Sequence, residues 1–415
     1  MKLLKASGRL AVNLFRYAEA RSSLAQVEAH DPSDPEVHYY RGLAETALGG
    51  RSDARAEFVA SHRNENFRAA SGLLLAELDA HEHDGAAALK VLEESCPAST
   101  GDLRCIEETV ALERTTGDLE GARRVAAESL ERYPISLFLR NELTKLGPVG
   151  KAGFSAPDLD RHLTGDTRRI LNLVQQYNRL GLYSDSLELL SRRYPSVSPE
   201  ESEPGAVTPE GDALLAYYRG FCREQLGQSG KADFKAASHM ALFDVFPSDA
   251  ETIAVLRAAV AGNQSDASAH FLLGTLWFSK GMVDSAMEEW KRAEALNRKI
   301  PSLDASMGRV LLEIKKEPKE ATALFKRGLK TDSANPELYL GLNEAMGEMK
   351  RPASERADMM KRFPADANMP TELLRELTDA LRDSGRNDEA ESLLAHRFVV
   401  RKEGEAPLRP QSHAK

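Results

Sequence analysis

Apolar residues recur along most of the chain at spacings of three and four, which is the period of an amphipathic α-helix. The segment HFLLGTLWFSKGMVDSAMEEWKRAEALN, residues 270–297, contains two such stretches on either side of Gly281. Glycine tolerates the left-handed conformation that ends many helices. The pattern therefore predicts two helices that form a hairpin with its turn at Gly281.

This hairpin pattern repeats at an interval of 34 residues. Four blocks begin without a gap at Met1, Pro35, Ala69 and Leu103, and six more begin near Thr167, Ala213, Ala267, Pro301, Ala334 and Glu372. Small residues recur at positions 8 and 20, and glycine at position 15, as Gly274, Ala286 and Gly281 do in block 267–300. We expect the small residues to let the paired helices cross closely, with Trp277 and Trp290 packed around the crossing.

The register resembles the tetratricopeptide repeat family. Block 267–300 carries residues at the family's motif positions, namely His270, Leu273, Gly274, Trp277, Ala286, Trp290 and Ala293. Block 35–68 carries Gly42, Gly49, Ala54 and Phe58. Block 69–102 has no glycine at position 15, and block 301–335 needs one extra residue to bring Phe325 into place. The resemblance implies an all-α fold, a right-handed α-solenoid of about nine or ten tetratricopeptide-like helix hairpins.

The second half of the chain has a further resemblance. It includes the runs RRILNLVQQYNRLGLYSDSLELLSRRYPSV, LLAYYRGFCREQLGQSGKADFKAAS and ESLLAHRFVVRKEGEA. These are similar to the repeat portion of large bacterial tetratricopeptide proteins, in which an uncharacterised N-terminal domain with a suspected carbohydrate connection precedes the repeats. The resemblance implies an alternative function, as an accessory protein of a carbohydrate-processing or cell-envelope system.

Proline and glycine divide the chain into segments. We predict a first array at 1–146, a Gly/Pro-rich connector at 147–166, a second array at 167–400 with an inserted loop at 192–212, and a disordered tail at 401–415.

Composition and charge narrow the classes of function. Hydrophobic residues make up 42% of the chain and aromatic residues 6%, a mixture that favours helices. The net charge of −9 argues against a uniformly basic surface for nucleic acid. No apolar run reaches the roughly 20 residues of a membrane helix. Lys5 and Arg9 interrupt the N-terminal stretch, so we predict a cytoplasmic protein, exported or periplasmic only if an upstream signal precedes this chain.

Sequence signatures of catalysis are missing. The chain has no nucleotide-binding glycine loop, nucleophile elbow or H-E-x-x-H motif. The run His81-Glu82-His83-Asp84 falls in a predicted turn, where alternate residues do not converge on a metal ion without other partners. We therefore predict that the protein is not an enzyme and has no cofactor and no metal site.

The three cysteines predict no disulfide scaffold. Cys96 and Cys105 fall at the end of one block and the start of the next, so a disulfide is geometrically allowed. In a reducing cytoplasm two separate buried thiols are favoured, and the question stays open. Cys222 is expected to pack in the core.

The family resemblance implies that the first helix of each hairpin lines an inner groove. Transfer of the family register to this sequence gives the groove residues Tyr39, Gln175, Asn178, Arg179, Tyr217, Phe221, Phe271, Thr275 and Phe278. We expect the aromatic ones to be exposed and to bind a partner, unless a neighbouring hairpin or the 192–212 loop covers them. The sequence thus predicts a non-catalytic scaffold that binds a protein or peptide, with no nucleic acid and no membrane insertion.

Overall fold

The structure is a computed structural model that describes residues 1–97, 101–147, 156–164, 166–195, 208–242, 245–297, 299–300, 302–365 and 367–397. In these ranges the chain forms 23 α-helices. It divides into two compact units, Met1–Leu296 and Asn297–Lys415. The fold class predicted from the periodicity, an all-α solenoid of helix hairpins, is confirmed.

The first unit contains the helices α1 (Lys2–Asn13), α2 (Tyr17–Glu28), α3 (Pro35–Ala47), α4 (Arg51–His62), α5 (Glu65–His81), α6 (Gly85–Ser95), α7 (Leu103–Thr116), α8 (Leu119–Arg132), α9 (Leu137–Leu146), α10 (Ala156–Thr164), α11 (Thr167–Arg179), α12 (Tyr183–Ser191), α13 (Ala213–Gln225), α14 (Lys231–Ala237), α15 (Ala250–Gly262), α16 (Ala267–Ser279) and α17 (Val283–Leu296). Seven hairpins pair α1 with α2, α3 with α4, α5 with α6, α7 with α8, α11 with α12, α13 with α14 and α16 with α17. Helices α9, α10 and α15 lie between them.

The second unit contains α18 (Leu303–Arg309), α19 (Pro318–Gly328), α20 (Pro336–Glu348), α21 (Ala353–Met360), α22 (Thr371–Asp383) and α23 (Asn387–Arg397). They form three hairpins. Helix α18 continues as a π-helical turn at Val310–Ile314, where the amide of Lys315 donates to the carbonyl of Val310 at 3.0 Å. A π-turn holds one residue more than the same length of α-helix. It accounts for the extra residue that block 301–335 requires.

The predicted helix crossings are confirmed. Gly274 of α16 faces Trp290 of α17, and a Cβ atom at Gly274 would overlap the indole ring. Trp290 is buried, and its Nε1 donates to the carbonyl of Phe271 at 3.2 Å. Gly42 faces Phe58 in the same way. The glycine at position 8 therefore makes room for the large residue of the second helix.

The hairpin turns share one backbone conformation. Gly281 ends α16 with a φ of 72°, and Gly181 ends α11 with a φ of 67°. His83 occupies the equivalent place in block 69–102 with a φ of 63°, although it is not a glycine. The geometry of the hairpin, rather than the local residue, therefore imposes the left-handed conformation.

A buried ionic network ties four helices of the first unit together. Glu142 of α9 is fully buried, and Arg114 of α7 donates to it from Nε at 2.6 Å. The hydroxyl of Tyr177 on α11 donates to the other oxygen of Glu142 at 2.5 Å. Arg114 also donates to Asp185 of α12 at 2.9 Å. Burial of these charges is tolerable because each carboxylate oxygen of Glu142 has a donor.

This network spans the predicted connector, because α9 precedes it and α11 follows it. Residues 156–164 of the connector form α10. The separation of two arrays at 147–166 stays a prediction. Most of the predicted loop, at 196–207, and the predicted tail, at 401–415, lie outside the described residues.

The favoured interpretation of Cys96 and Cys105 as separate thiols is wrong in this structure. The two residues form a disulfide with their Cα atoms 6.1 Å apart, and Cys222 is buried as a free thiol. Helix α6 ends at Ser95 and α7 begins at Leu103, so the two cysteines face each other across a hairpin junction. The expectation was wrong because it was based on a reducing cytoplasm, whereas the Cα separation of 6.1 Å allows a disulfide.

None of the helices in the described part of the chain combines the length and apolar character that crossing a bilayer requires.

Replacement of His83 by glycine tests the turn geometry. A non-glycine residue in the left-handed region costs about 1 kcal/mol, part of which the greater freedom of glycine in the unfolded chain offsets. We expect His83→Gly to raise the free energy of unfolding of the α5–α6 hairpin by about 0.5 kcal/mol, measured by native-state hydrogen exchange. His83→Ala is the control and should not stabilise the hairpin. Equal effects of both variants would contradict the role of the backbone.

The disulfide gives a second prediction. After denaturation without a reductant, alkylation and mass spectrometry should detect one free thiol, on Cys222. Because a disulfide restricts the unfolded chain, the Cys96→Ser/Cys105→Ser variant should lose about 2 kcal/mol of unfolding free energy. Cys222→Ala leaves the disulfide intact and serves as the control. Detection of three thiols in protein purified without reductant would refute the assignment.

Candidate functional site

The first unit curls so that helices distant in sequence face one another. The Nζ atom of Lys280, after α16, lies 4.3 Å from the ring centroid of Phe15, after α1. The rings of His81 on α5 and Tyr183 on α12 are 6.1 Å apart. The first contact joins hairpins from opposite ends of the unit, and the second joins hairpins about 100 residues apart, so we call the side on which they meet the interior of the unit.

Charged side chains from four helices gather on this interior. We call the following residues the acidic inner face: Glu77, Arg104, Glu107, Glu108, Arg179 and Glu251. They come from α5, α7, α11 and α15. Ion pairs and mutual electrostatic effects connect them.

Arg104 lies between two carboxylates. Its Nε donates to Glu108 Oε1 at 3.1 Å, and its NH2 group donates to Glu77. Burial, together with the adjacent Glu77, raises the pKa of Glu108 well above its ordinary value. One guanidinium thus serves two neighbouring acids, and the pKa of Glu108 stays raised because a proton on it relieves the repulsion from Glu77.

Glu107 points to another part of the interior. It accepts from Ser136 Oγ at 2.7 Å and from Gln176 Nε2 on α11 at 3.4 Å. Burial raises the pKa of Glu107 to about 7, whereas its hydrogen bond from Ser136 and the charge of Arg104 act in the opposite direction. Its hydrogen-bond partners are neutral, so they compensate only part of the lost hydration.

Arg179 and Glu251 form the remaining pair of the face. The Nε atom of Arg179 donates to Glu251 Oε1 at 2.6 Å, which links α11 to α15. Partial loss of solvent raises the pKa of Glu251, and the charges of Glu77 and Asp249 add to the effect. The pair extends the acidic surface across the interior of the unit.

Aromatic side chains border the acidic inner face. Tyr39 lies on α3, and the charges of Arg104 and Glu77 act on its pKa. The ring of Tyr183 packs edge-on against Phe221 of α13, with centroids 6.1 Å apart. The interior thus combines acidic and aromatic side chains, a combination that suits cationic and apolar groups of a ligand.

Three of the predicted groove residues lie in buried contacts between helices. Tyr217 is 0% exposed, and its hydroxyl donates to Asp266 at 2.8 Å. Gln175 donates to a buried tyrosine hydroxyl at 3.0 Å. The side-chain oxygen of Asn178 accepts from Ser186 at 2.8 Å. These side chains hold hairpins together and are not available to a partner.

The other predicted residues differ in exposure. Phe271 is buried, so the expected exposure of Tyr217 and Phe271 is wrong. Thr275 is half-buried and donates to the backbone of its own helix at 2.9 Å. Phe278 is 39% exposed. The structure places Arg179 on the acidic inner face and Tyr39 and Phe221 at its border.

Sequence reasoning missed most of the acidic inner face. Glu77 is at position 9 of block 69–102, and Arg104 and Glu107 are at positions 2 and 5 of the next block. These are positions that line the groove in the resembling family, so the register could have found them. The predicted groove residues were taken from the blocks that begin at Pro35, Thr167, Ala213 and Ala267, and none was taken from these two blocks. Glu251 lies on α15, outside any complete block, and no repeat signal marks it.

A second cluster, Glu28, His38 and Glu57, has the side-chain types of a metal site. His38 Nδ1 contacts Glu57 at 2.7 Å and Nε2 contacts the carbonyl of Pro32 at 2.9 Å, so both nitrogens are engaged by acceptors. Arg41 pairs with both carboxylates. The cluster is therefore an ion-pair network with no nitrogen left for a metal.

The same pairing recurs in another hairpin. His270 Nδ1 contacts Glu289 at 2.6 Å, and the two residues have the spacing of His38 and Glu57. Recurrence at the same repeat positions favours a structural role in joining the two helices of a hairpin.

The run His81–Asp84 forms the turn that the sequence predicts. His81 ends α5, Glu82 pairs with Arg55 at 3.0 Å, and Asp84 accepts from the amide of Ala87 at the start of α6. Burial lowers the pKa of His81. These side chains serve the hairpin turn.

Comparison with known proteins agrees with the repeat pattern. A family model for the tetratricopeptide repeat matches residues 5–60. No curated protein matches the sequence. Together with the recurring hairpins, the match confirms the predicted tetratricopeptide repeats. The further resemblance of the second half to large bacterial proteins stays an interpretation.

The chain is also similar to solved structures. The crystal structure of MamA is 20% identical in sequence and has a TM-score of 0.21; the matched region is 53% of this chain and 92% of the MamA chain. The crystal structure of the APC/C hetero-tetramer Cut9–Hcn1 is 12% identical and has a TM-score of 0.29; the matched region is 95% of this chain and 86% of the other. The crystal structure of yeast Tom70 is 10% identical and has a TM-score of 0.31; the matched region is 95% of this chain and 90% of the Tom70 chain. Scores this low transfer neither an arrangement of helices nor a partner.

The environment of Glu107 predicts a pH dependence of stability. Between its ordinary value of 4.5 and about 7, the native carboxyl keeps a proton that the unfolded chain releases. The contribution of Glu107 to the free energy of unfolding is therefore fully present below pH 4.5 and is lost as the pH rises through about 7. We expect Glu107→Gln to reduce this loss by at most about 3 kcal/mol, measured by urea unfolding at several pH values.

The control for this experiment is Glu128→Gln on α8, because Glu128 is exposed. It should leave the pH dependence unchanged. An unaltered slope in Glu107→Gln would show that Glu107 ionises normally in the native protein.

Proposed function

We propose that this tetratricopeptide repeat chain is a non-catalytic scaffold that binds a segment of a protein partner on the interior of its first unit. The observation that carries the proposal is the acidic inner face, where side chains from three helices, α7, α11 and α15, remain partly accessible to solvent. The side chain of Arg104 is 41% exposed and that of Arg179 is 35% exposed. A partner can therefore contact these two side chains, although they also form ion pairs between helices.

The exposure of the predicted groove residues separates those that hold the helices together from those that a partner can reach. Tyr217 and Phe271 hold the helices together, whereas Phe278 and Arg179 stay reachable on first helices of hairpins. A scaffold needs such a rigid framework with accessible side chains on one side. No observation on the described residues favours the carbohydrate-linked alternative.

The Cys96–Cys105 disulfide supports the exported or periplasmic alternative for the compartment. Structural disulfides persist in oxidising compartments and are rare in the cytoplasm. Fractionation of source cells, with the thiol state measured in each fraction, distinguishes the two compartments.

Site-specific crosslinking tests the proposed binding surface. A photoreactive phenylalanine analogue replaces Phe278 of α16, or Val59 of α4, which is 43% exposed on the second helix of its hairpin. We expect the analogue at Phe278 to crosslink one partner in source cells, and the purified partner to crosslink in a saturable way. The analogue at Val59 is the control. Crosslinking only from Val59, or equally from both positions, would contradict binding on the interior.

A further inference from the structure

The first hairpin of the first unit has an unusual residue at its turn. Position 15 of the repeat has a positive φ in each of the seven hairpins of this unit, and in five of them it is glycine, for example Gly49 and Gly281. In the first hairpin it is Phe15, with a φ of 60°. A bulky side chain is strained in this conformation, whereas glycine is not. The turn alone therefore does not account for a phenylalanine at this position.

The side chain of Phe15 makes contacts that a glycine cannot make. Its ring stacks against Tyr17 of α2, with the centroids 5.9 Å apart, and the Nζ atom of Lys280 lies 4.3 Å from its centroid. Lys280 follows α16, in the last hairpin of the unit. An ammonium group this close to an aromatic ring is attracted by the π-electrons. Phe15 thus joins the first hairpin to the last.

This contact is weaker than the other links between hairpins. The ion pairs of α1 run to the start of α3, in the next hairpin. Arg114 and Asp185 link two separate hairpins at 2.9 Å, and their side chains are only 16% and 13% exposed. Phe15 and Lys280 are half-buried, and a cation–π contact that stays open to solvent stabilises little. Separation of the first and last hairpins at this point therefore costs little.

We propose that Phe15 and Lys280 form a latch that closes the first unit, and that the interior admits the partner segment when the latch opens. The second part rests on the proposed function, whereas the first does not. The turn keeps its backbone conformation in both states, so the strain at Phe15 favours neither, and the contact with Lys280 favours the closed state. Phe278, which is 39% exposed, lies two residues before Lys280, so the opening occurs beside an accessible residue.

Distance measurements on the full-length chain test the latch. Spin labels on a keto-bearing amino acid replace Ser22 of α2 and Ser285 of α17, both exposed, and leave the cysteines untouched. Double electron–electron resonance then gives the fractions of closed and open molecules. Lys280→Met keeps the length of the side chain without its charge, so it should lower the ratio of closed to open molecules about fivefold. Lys280→Arg retains the cation and is the matched control, with a change of less than about twofold.

Variants of Phe15 test the other side of the contact. Phe15→Gly should lower the same ratio about fivefold, and Phe15→Trp should raise it, because indole is the stronger partner for a cation. Phe15→Gly should add little to Lys280→Met, because both remove one contact. His83→Gly changes the same turn position in another hairpin and should leave the distances unchanged.

Hydrogen exchange separates the latch from a role within the first hairpin. If Phe15 served only its own hairpin through Tyr17, Phe15→Gly would lower the protection of the α1–α2 turn and Lys280→Met would leave the distances unchanged. The latch predicts the reverse, with the protection of the turn maintained because glycine suits its backbone.

The photoreactive analogue at Phe278 tests the entry of the partner. In source cells, Phe15→Gly should raise the initial rate of crosslinking from Phe278, about in proportion to the open fraction. His83→Gly is the control and should not change this rate.

Each contrary result has a definite meaning. An unchanged distance distribution in Lys280→Met, or additive effects of Lys280→Met and Phe15→Gly, refutes the latch. If the distances change as expected but crosslinking is no faster, entry of the partner through this opening is refuted. If Phe278 crosslinks a partner and no variant changes the distances, the scaffold function stands and the latch fails. If the latch responds as expected and Phe278 crosslinks no partner, the proposed function itself fails.

Discussion

Where the two helices of a hairpin cross, a large side chain of one helix occupies the space that a glycine leaves on the other. Trp290 lies against Gly274 in this way, and Phe58 lies against Gly42. The close crossing fixes the distance and angle of the paired helices, and so the direction in which the next hairpin can stack. In the hairpins that carry this glycine, the position of the first helix, and of the side chains it turns inward, depends on this contact.

In the interior of the first unit, many first helices face one another. Acidic residues that would be ordinary on an isolated helix come together there, and solvent is partly excluded between them. Their electrostatic state is then set by neighbours that are far away in sequence, as Glu251 is from Glu77. Burial raises the pKa of Glu107, Glu108 and Glu251, so the protonation of these acids depends on the neighbours that the fold places beside them.

The sequence predicted the hairpins well and the interior less well. The period of 34 residues, the turn glycines such as Gly281 and the crossing at Gly274 are local features, and local spacing reports them. The burial of Tyr217 depends on Asp266, which belongs to another hairpin. Glu108 and Arg104 can be placed on a helix from the sequence, but their distance from Arg179 cannot, because it depends on how the whole unit curls. The disulfide lay between these cases, since the cysteines are near in sequence but their Cα separation depends on a hairpin junction.

The π-helical turn at Val310–Ile314 shows how an array of repeats can accept a change of length. A single inserted residue would rotate the rest of an α-helix by about 100°, and would move its apolar face away from the neighbouring helix. The wider turn absorbs the insertion, so Phe325 still reaches Gly308. Duplicated units can therefore drift in length while their buried faces stay matched. A constant interval of 34 residues therefore misses such units, whereas an interval that allows one extra residue inside a helix includes them.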